Sequence, residues 1–354
     1  MKLIYFIIPI VVSAFTPLII IPGFGGSVLK KKNSKELLWP PSSNKWLGNS
    51  WIDSMKIEYK ENKLSPIVPT ELYPIGDING IKITTPATKL LFGSEYYYNI
   101  VKAFQKDRQI DAISYDFRII TDLIYQKELF NNMTNFIEKN GKSNFICHSL
   151  GGLMFHYYLC THVSKEWKDK YIDNVIFINV PFGGSVAILE YFLQDLEFNI
   201  PILCKKVKLN FIKNYGGFLW CLPNPEIFDN EIILNNNNIL YSAKNISLLF
   251  NNSEIFNIYN NQIKPILKYV KVSPEVNTFH IICTNMNTTK NITIKNGIIN
   301  KIFTEGDGVI TTKSLTSPIK WKDDKCHIFV KMQGEHSDIL SEKKLIETIF
   351  DITF

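Results

Sequence analysis

The residues best placed to do chemistry lie in Asn144-Phe145-Ile146-Cys147-His148-Ser149-Leu150-Gly151-Gly152. An apolar run leads into a serine, then into glycines, then into a helical pattern. That strand–turn–helix context holds a nucleophilic serine exposed on a sharp turn. Cys147 stands where such turns often carry glycine, while Gly151 keeps the second small position that lets strand and helix pack closely. A serine hydroxyl is a weak nucleophile at neutral pH and needs a base, which in turn needs an acid to orient it. In this setting the acid and then the base follow the serine along the chain. Gly306-Asp307-Gly308 puts an aspartate in a tight loop, and Gly334-Glu335-His336-Ser337-Asp338 puts a histidine in a loop before a C-terminal helix. Asp116 precedes the serine and Asp338 lies two residues from His336, so both are poorer acids. His148, His156, His162, His280 and His327 fall beside the serine, on the helix behind it, or at strands, and read as packing or surface residues. The catalytic set expected is therefore Ser149, Asp307 and His336. An oxyanion hole needs two converging backbone N–H groups. Leu150 supplies one, and Phe24 in the loop Pro22-Gly23-Phe24-Gly25-Gly26 supplies the other.

These residues need a frame. Strands are expected at Leu18–Ile21, Asp111–Tyr115, Ser143–Cys147, Val175–Val180, Thr278–Cys283 and His327–Lys331. Helical patterns at Tyr96–Phe104, Leu123–Asn140 and Leu150–Val163 alternate with them. Continuous apolar strands alternating with helices imply a parallel sheet covered on both faces. Residues 185–276 break the rhythm, being Asn-rich, irregular and mostly helical, and read as an insertion over the sheet. Within it, Tyr215-Gly216-Gly217-Phe218-Leu219-Trp220 has the glycine hinge and bulky apolar residues that a lid loop needs. Trp39, Trp46 and Trp51 fall within thirteen residues. Such rings suit either the wet–apolar boundary of a lipid surface or the packing of a small subdomain.

The chain has 354 residues, 45% of them hydrophobic and 13% aromatic, enough for a large core and too many for a disordered chain. Its net charge of +6 is thinly spread, with Lys30-Lys31-Lys32 the one tight basic run, so no nucleic-acid partner is expected. Residues 1–14 combine Lys2, an apolar stretch and small Ser13-Ala14, the pattern of a secretory signal peptide cleaved near Ala14, with a buried first strand as the alternative. No later window reaches 18 uninterrupted apolar residues, so a soluble mature chain on the secretory route is expected. Six cysteines in such a chain allow disulfides, with Cys204–Cys221 and Cys283–Cys326 the candidate pairs and Cys147 and Cys160 free core thiols. No C-x-x-C or H-x-x-x-H spacing occurs, so no metal is expected.

The chain resembles the lecithin–cholesterol acyltransferase family, which includes lysosomal phospholipase/transacylase enzymes. The resemblance rests on IIIPGFGGSVL (19–29), NSWIDS (49–54), SYDFR (114–118), CHSLGG (147–152), VPFGGS (180–185), GDGVITTKSL (306–315) and EHSDIL (335–340). It implies an α/β-hydrolase fold with an inserted cap or lid and a small membrane-binding subdomain. The expected division is a signal peptide at 1–14, core at 15–184 with the membrane-binding insertion at about 30–75, cap at 185–276, and core again at 277–354. The resemblance implies attack by Ser149 on a glycerophospholipid ester and transfer of the acyl group to water or a lipid alcohol, without metal or organic cofactor. Asp307 and His336 match the family's acid and base, and Phe24 and Leu150 its oxyanion amides. Trp39, Trp46, Trp51 and Trp220 are then expected to touch lipid. The partners expected are phospholipid and a membrane or lipid-particle surface, met peripherally by a monomer that is secreted or held in a lysosome-like lumen. Ser50 stands where vertebrate members carry a lid cysteine, and Phe182 replaces a usual tryptophan. Two rival readings are an inactive lipid-binding protein on a hydrolase scaffold and a hydrolase of small soluble esters.

Overall fold

The computed structural model describes residues 15–41, 50–81, 96–193, 197–200, 205–208, 210–250 and 253–354. The expected signal peptide, Trp46 and Cys204 lie outside the described residues. Six strands form one all-parallel sheet: β1 (Leu18–Ile21), β2 (Ile110–Ala112), β3 (Ser143–His148), β4 (Ile172–Ile178), β5 (Thr278–Cys283) and β6 (His327–Met332), in the order β6-β5-β4-β3-β1-β2. They are the six apolar runs of the sequence. This is the α/β-hydrolase fold.

Burial explains why the inner strands are mostly apolar on both faces. Ile19 and Ile21 of β1 point into one apolar cluster with Phe145, Cys147, Val175 and Phe177, and Leu18 and Ile20 into a second with Ile146, Ile176 and Ile178. A strand whose alternate residues both face packed layers must be mostly apolar. Helix α1 (Tyr98–Phe104) and helix α4 (Lys343–Thr353) cover the second cluster. Helix α2 (Leu123–Asn140) and helix α3 (Leu150–Thr161) cover the first. In α2, Leu129, Met133 and Ile137 share one buried stripe, Asp122 accepts from the Ile124 and Tyr125 amides as N-cap, and Gly141 ends the helix at φ 76°.

The rest of the chain departs from expectation in three places. Residues 232–242 and 286–306 jointly build a four-stranded sheet, in which Ile232–Asn236 lies parallel to Met286–Lys295 and the latter forms a hairpin with Ile298–Gly306. The 185–276 stretch is therefore stitched to the later chain by strand pairing and is less helical than its composition suggests. Gly216–Trp220 is a short buried helix, not a loop, and its glycines are packing residues: a Cβ on Gly217 would sit 2.3 Å from the Phe117 carbonyl oxygen. The third concerns cysteines. Cys283 and Cys326 are both free. β5 and β6 run parallel with Thr278 opposite His327 and Cys283 opposite Met332, which puts the two thiols at opposite ends of the strand pair. Six residue steps along the strands separate them by roughly 20 Å, beyond the ~7 Å that a disulfide spans between Cα atoms.

Two of the four tryptophans expected to touch lipid are buried. Trp51 is 4% and Trp220 3% exposed, both inside the main apolar cluster. Trp39 is half-buried, 6.3 Å from Trp51 between ring centres, and its indole N–H donates to the Gly25 carbonyl at 2.6 Å. Each ring packs on another aromatic, Trp39 on Phe117, Trp51 on Phe211 and Trp220 on Tyr157, because a large aromatic gains more from burial beside another than from water. No helix among the described residues is long and apolar enough to cross a membrane.

Candidate active site

Ser149 sits between the end of β3 and the start of α3, with φ 51° and ψ −126°. A non-glycine residue held there is strained, and the surroundings fix it: its amide donates to the Ile178 carbonyl at 3.0 Å, and its carbonyl accepts from Gly152 at 2.9 Å. The two glycines after Leu150 are sterically required. A Cβ on Gly151 would lie 2.2 Å from the Pro22 carbonyl oxygen, and one on Gly152 2.1 Å from Val180 Cγ2. The helix can press against β1 and β4 only without those side chains.

Asp307 and His336 arrive from two loops after the sheet. Asp307 ends the Met286–Gly306 hairpin excursion that leaves β5, and Gly308, at φ 90°, turns the chain sharply beyond it. The Asp307 carboxylate is fully buried: Oδ1 accepts from the Val309 and Ile310 amides at 2.9 and 2.6 Å. Its Oδ2 lies 2.7 Å from His336 Nδ1, and His336 Nε2 lies 2.9 Å from Ser149 Oγ. Because a carboxylate only accepts, Nδ1 carries the ring proton, which leaves the Nε2 lone pair facing the serine hydroxyl. The backbone of His336 is held as closely: its N–H donates to the Asp307 carbonyl at 2.9 Å, and its carbonyl accepts from His148 Nε2 at 3.0 Å and Asn179 Nδ2 at 3.2 Å. The three side chains singled out in the sequence thus meet in one hydrogen-bonded line, across a sequence gap of 187 residues between Ser149 and His336.

Asp116 is elsewhere. It pairs with the fully buried Arg118, Oδ1 with Nε at 2.9 Å and Oδ2 with Nη2 at 2.7 Å, and Arg118 reaches on to the Met55 carbonyl and Thr70 Oγ1. Arg118 thereby ties the chain at Met55 and Thr70 to the segment that follows β2. The backbone amides of Phe24 and Leu150 make no hydrogen bond among the described residues. The loop that carries Phe24 is fixed by a Gly26-to-Gly23 turn, by the Gly23 amide donating to Tyr97 Oη at 3.2 Å, and by the Trp39 indole on Gly25.

Ser149 opens into a cavity of about 200 Å³, walled by Phe24, Ile188, Tyr191, Phe218, Val309 and Ile310. Ile188, Tyr191 and Phe218 come from the 185–276 stretch, so the apolar wall opposite the sheet is built by that stretch. Cys221 also lines the cavity, where burial pushes its thiol up to about 12 and leaves it unreactive beside the serine. His148 is fully enclosed, and burial first, then the neighbouring His336, lowers it to about 3. The lining of this cavity is mostly apolar, with Ser149 and His336 among its few polar groups. Sequence reasoning passed over His148, although its position next to Ser149 was a usable signal. Asn179 carries no sequence signal, since only the fold brings the end of β4 under the His336 loop.

The "Lecithin-cholesterol acyltransferase-like 1" protein of Arabidopsis thaliana is 22% identical over 260 residues, covering 60% of this chain and 59% of that protein. The phosphatidylcholine-sterol acyltransferase of Mus musculus is 24% identical over 212 residues, covering 56% of this chain and 48% of that one. The chain thus matches about half the length of these curated relatives. A solved structure, from the Tle4–Tli4 complex, superposes with a TM-score of 0.54 at 13% identity, covering 96% of this chain and 98% of that one, which bears on the fold alone. The model of the lecithin:cholesterol acyltransferase family matches residues 87–280, more than half of the sequence, and the chain belongs to that family.

Proposed function

We propose that this protein is a serine-dependent lipid acyl hydrolase/acyltransferase that cleaves a glycerophospholipid acyl ester. The observation that carries the reading is the line Ser149–His336–Asp307, at 2.9 and 2.7 Å, opening on an apolar cavity. Ser149 Oγ attacks the ester carbonyl carbon while His336 Nε2 takes the hydroxyl proton. The carbonyl π electrons move onto oxygen, where the Leu150 and Phe24 amides meet the charge. Asp307 stabilises the imidazolium that forms and keeps its Nδ1–H directed. Collapse of the tetrahedral intermediate breaks the bond to the lysophospholipid oxygen, which leaves with the proton from His336. Water or a lipid alcohol then attacks acyl-Ser149 with His336 again as base, releasing a fatty acid or a new ester and restoring the serine.

In this reading residues 185–276 form the cap, because Ile188, Tyr191 and Phe218 supply the wall against which the acyl chain would lie. The protein meets its lipid peripherally. The test is acyl release from phosphatidylcholine vesicles by the wild type and by Ser149→Ala, with and without a long-chain alcohol. Serine-dependent fatty acid supports hydrolysis, and serine-dependent ester supports transfer. If vesicles are bound but neither product depends on Ser149, the enzyme reading fails and a lipid-binding role replaces it.

A further inference from the structure

The His336 carbonyl is the unusual feature of this site. Backbone carbonyls in loops are commonly left to water, yet both lone pairs of this one are taken by buried side chains, His148 and Asn179. The two donors come from the ends of β3 and β4, and a third strand fixes one of them: Asn179 Oδ1 accepts from the Cys283 amide at the end of β5, at 2.9 Å. Asn179 is itself held at φ 45°, fully buried. Three adjacent strand ends therefore converge on a single backbone oxygen of the residue whose ring must face Ser149.

We infer that His148, acting together with Asn179, is a positioning residue that fixes the backbone of His336 so that its Nε2 stays aimed at Ser149 Oγ. The inference rests on the serine-hydrolase reading above. A carbonyl only accepts, so Nε2 of His148 carries its proton and Nδ1 is bare. That Nδ1 is buried with no partner, and a Cβ on Gly23 would come within 2.9 Å of it, so the oxyanion loop closes over it. A residue kept for packing alone would be better served by an apolar ring of the same size, because an unpaired buried acceptor costs stability. Retaining the imidazole makes sense for the bond its other nitrogen donates. The ring centres of His148 and His336 lie 5.1 Å apart, so the support is immediate. A displacement of about 1 Å at a reacting group lowers rates about 10²-fold.

Three variants test this: His148→Phe removes the donor and keeps a ring, His148→Gln restores an N–H at the reach of Nε2, and Asn179→Asp removes the second donor. The readouts are kcat and KM on a soluble p-nitrophenyl ester, the rate of Ser149 labelling by a fluorophosphonate, and Tm. The expected result is a kcat and labelling rate lowered about 10- to 100-fold in His148→Phe, with KM within about twofold and Tm unchanged or raised. His148→Gln should recover most of the loss. A folded His148→Phe with wild-type kcat, equal losses in the Phe and Gln variants, or a loss confined to KM each overturn the inference. Should His148→Phe not fold, Asn179→Asp decides, with a kcat loss at unchanged KM expected and wild-type kcat refuting. A Ser149→Ala control that still turns over the ester brings down the serine-hydrolase reading itself, and the inference with it.

Discussion

Replacing Asp307 with asparagine separates orientation of the base from everything else the residue does. Oδ1 accepts from the Val309 and Ile310 amides at 2.9 and 2.6 Å, so in Asp307→Asn the side-chain carbonyl must take that place. The reverse orientation would aim an NH₂ group at two N–H groups, at a cost of about 1–3 kcal/mol for each buried group left unpaired. The amide NH₂ therefore faces His336 Nδ1, 2.7 Å from the former Oδ2 position. Nδ1 must then accept, the ring proton moves to Nε2, and Nε2 donates to Ser149 Oγ when it should receive from it. A triad locked in the wrong tautomer loses about 10⁴ in turnover, or about 5.4 kcal/mol at ~1.36 kcal/mol per tenfold. Side-chain size and the loop hydrogen bonds are kept, so unfolding free energy should change by less than about 1 kcal/mol. Asp307→Ala, by contrast, takes the acceptor from the Val309 amide and from the buried Ile310 amide and should lower both activity and stability. The assay is acyl release from phosphatidylcholine vesicles together with urea unfolding of each variant. A folded Asp307→Asn enzyme within tenfold of the wild-type rate would refute the argument, because His336 would then be oriented by some other group.

Three further outcomes follow from the packing. Gly151→Ala places a methyl 2.2 Å from the Pro22 carbonyl oxygen, so α3 must move off β1; a loss of more than about 2 kcal/mol in urea unfolding is expected, and a neutral result would mean the helix approaches less closely than described. Arg118→Leu leaves the buried Asp116 carboxylate unpaired and should cost about 3–5 kcal/mol in the same measurement, whereas the double variant Asp116→Asn/Arg118→Leu should recover part of it. The third concerns pH. His156 is buried against Trp321, with ring centres 4.9 Å apart, and burial lowers it from 6.5 to about 4; His280 is lowered well below 6.5 by burial and by His327. Both are neutral when folded and take up protons more readily when unfolded, so stability is full above about pH 6.5 and falls as the pH drops toward 4. His156 alone accounts for about 3 kcal/mol of that loss by pH 4. Urea midpoints between pH 7.5 and pH 4 check this, and His156→Gln should flatten the slope.

How far the sequence could be read depended on whether a feature is local. The strands of the sheet were legible because those buried on both faces are mostly apolar and alternate with helices. Leu123–Asn140 was legible because its cap, its i, i+4 stripe and its terminal glycine are all encoded within one segment. Ser149 could be read from the glycines after it, whose smallness is set by β1 and β4. The hairpin Met286–Lys295 with Ile298–Gly306 was not read, since its strands mix Asn, Thr, Lys and Ile, and a half-exposed excursion has no clean apolar face to announce it.

Ser149, Asp307 and His336 could be named from residue type, loop context and chain order alone, because those are properties of short segments. Only the tertiary structure could say that they lie 2.9 and 2.7 Å apart in one line, that Trp51 and Trp220 are buried, that Asp116 belongs to Arg118, and that Cys283 and Cys326 lie at opposite ends of a strand pair. The same holds for His148 and Asn179 under the His336 carbonyl. Each of these depends on which strand lies beside which, and strand order is fixed by packing between segments far apart in the chain, of which no single segment carries a record.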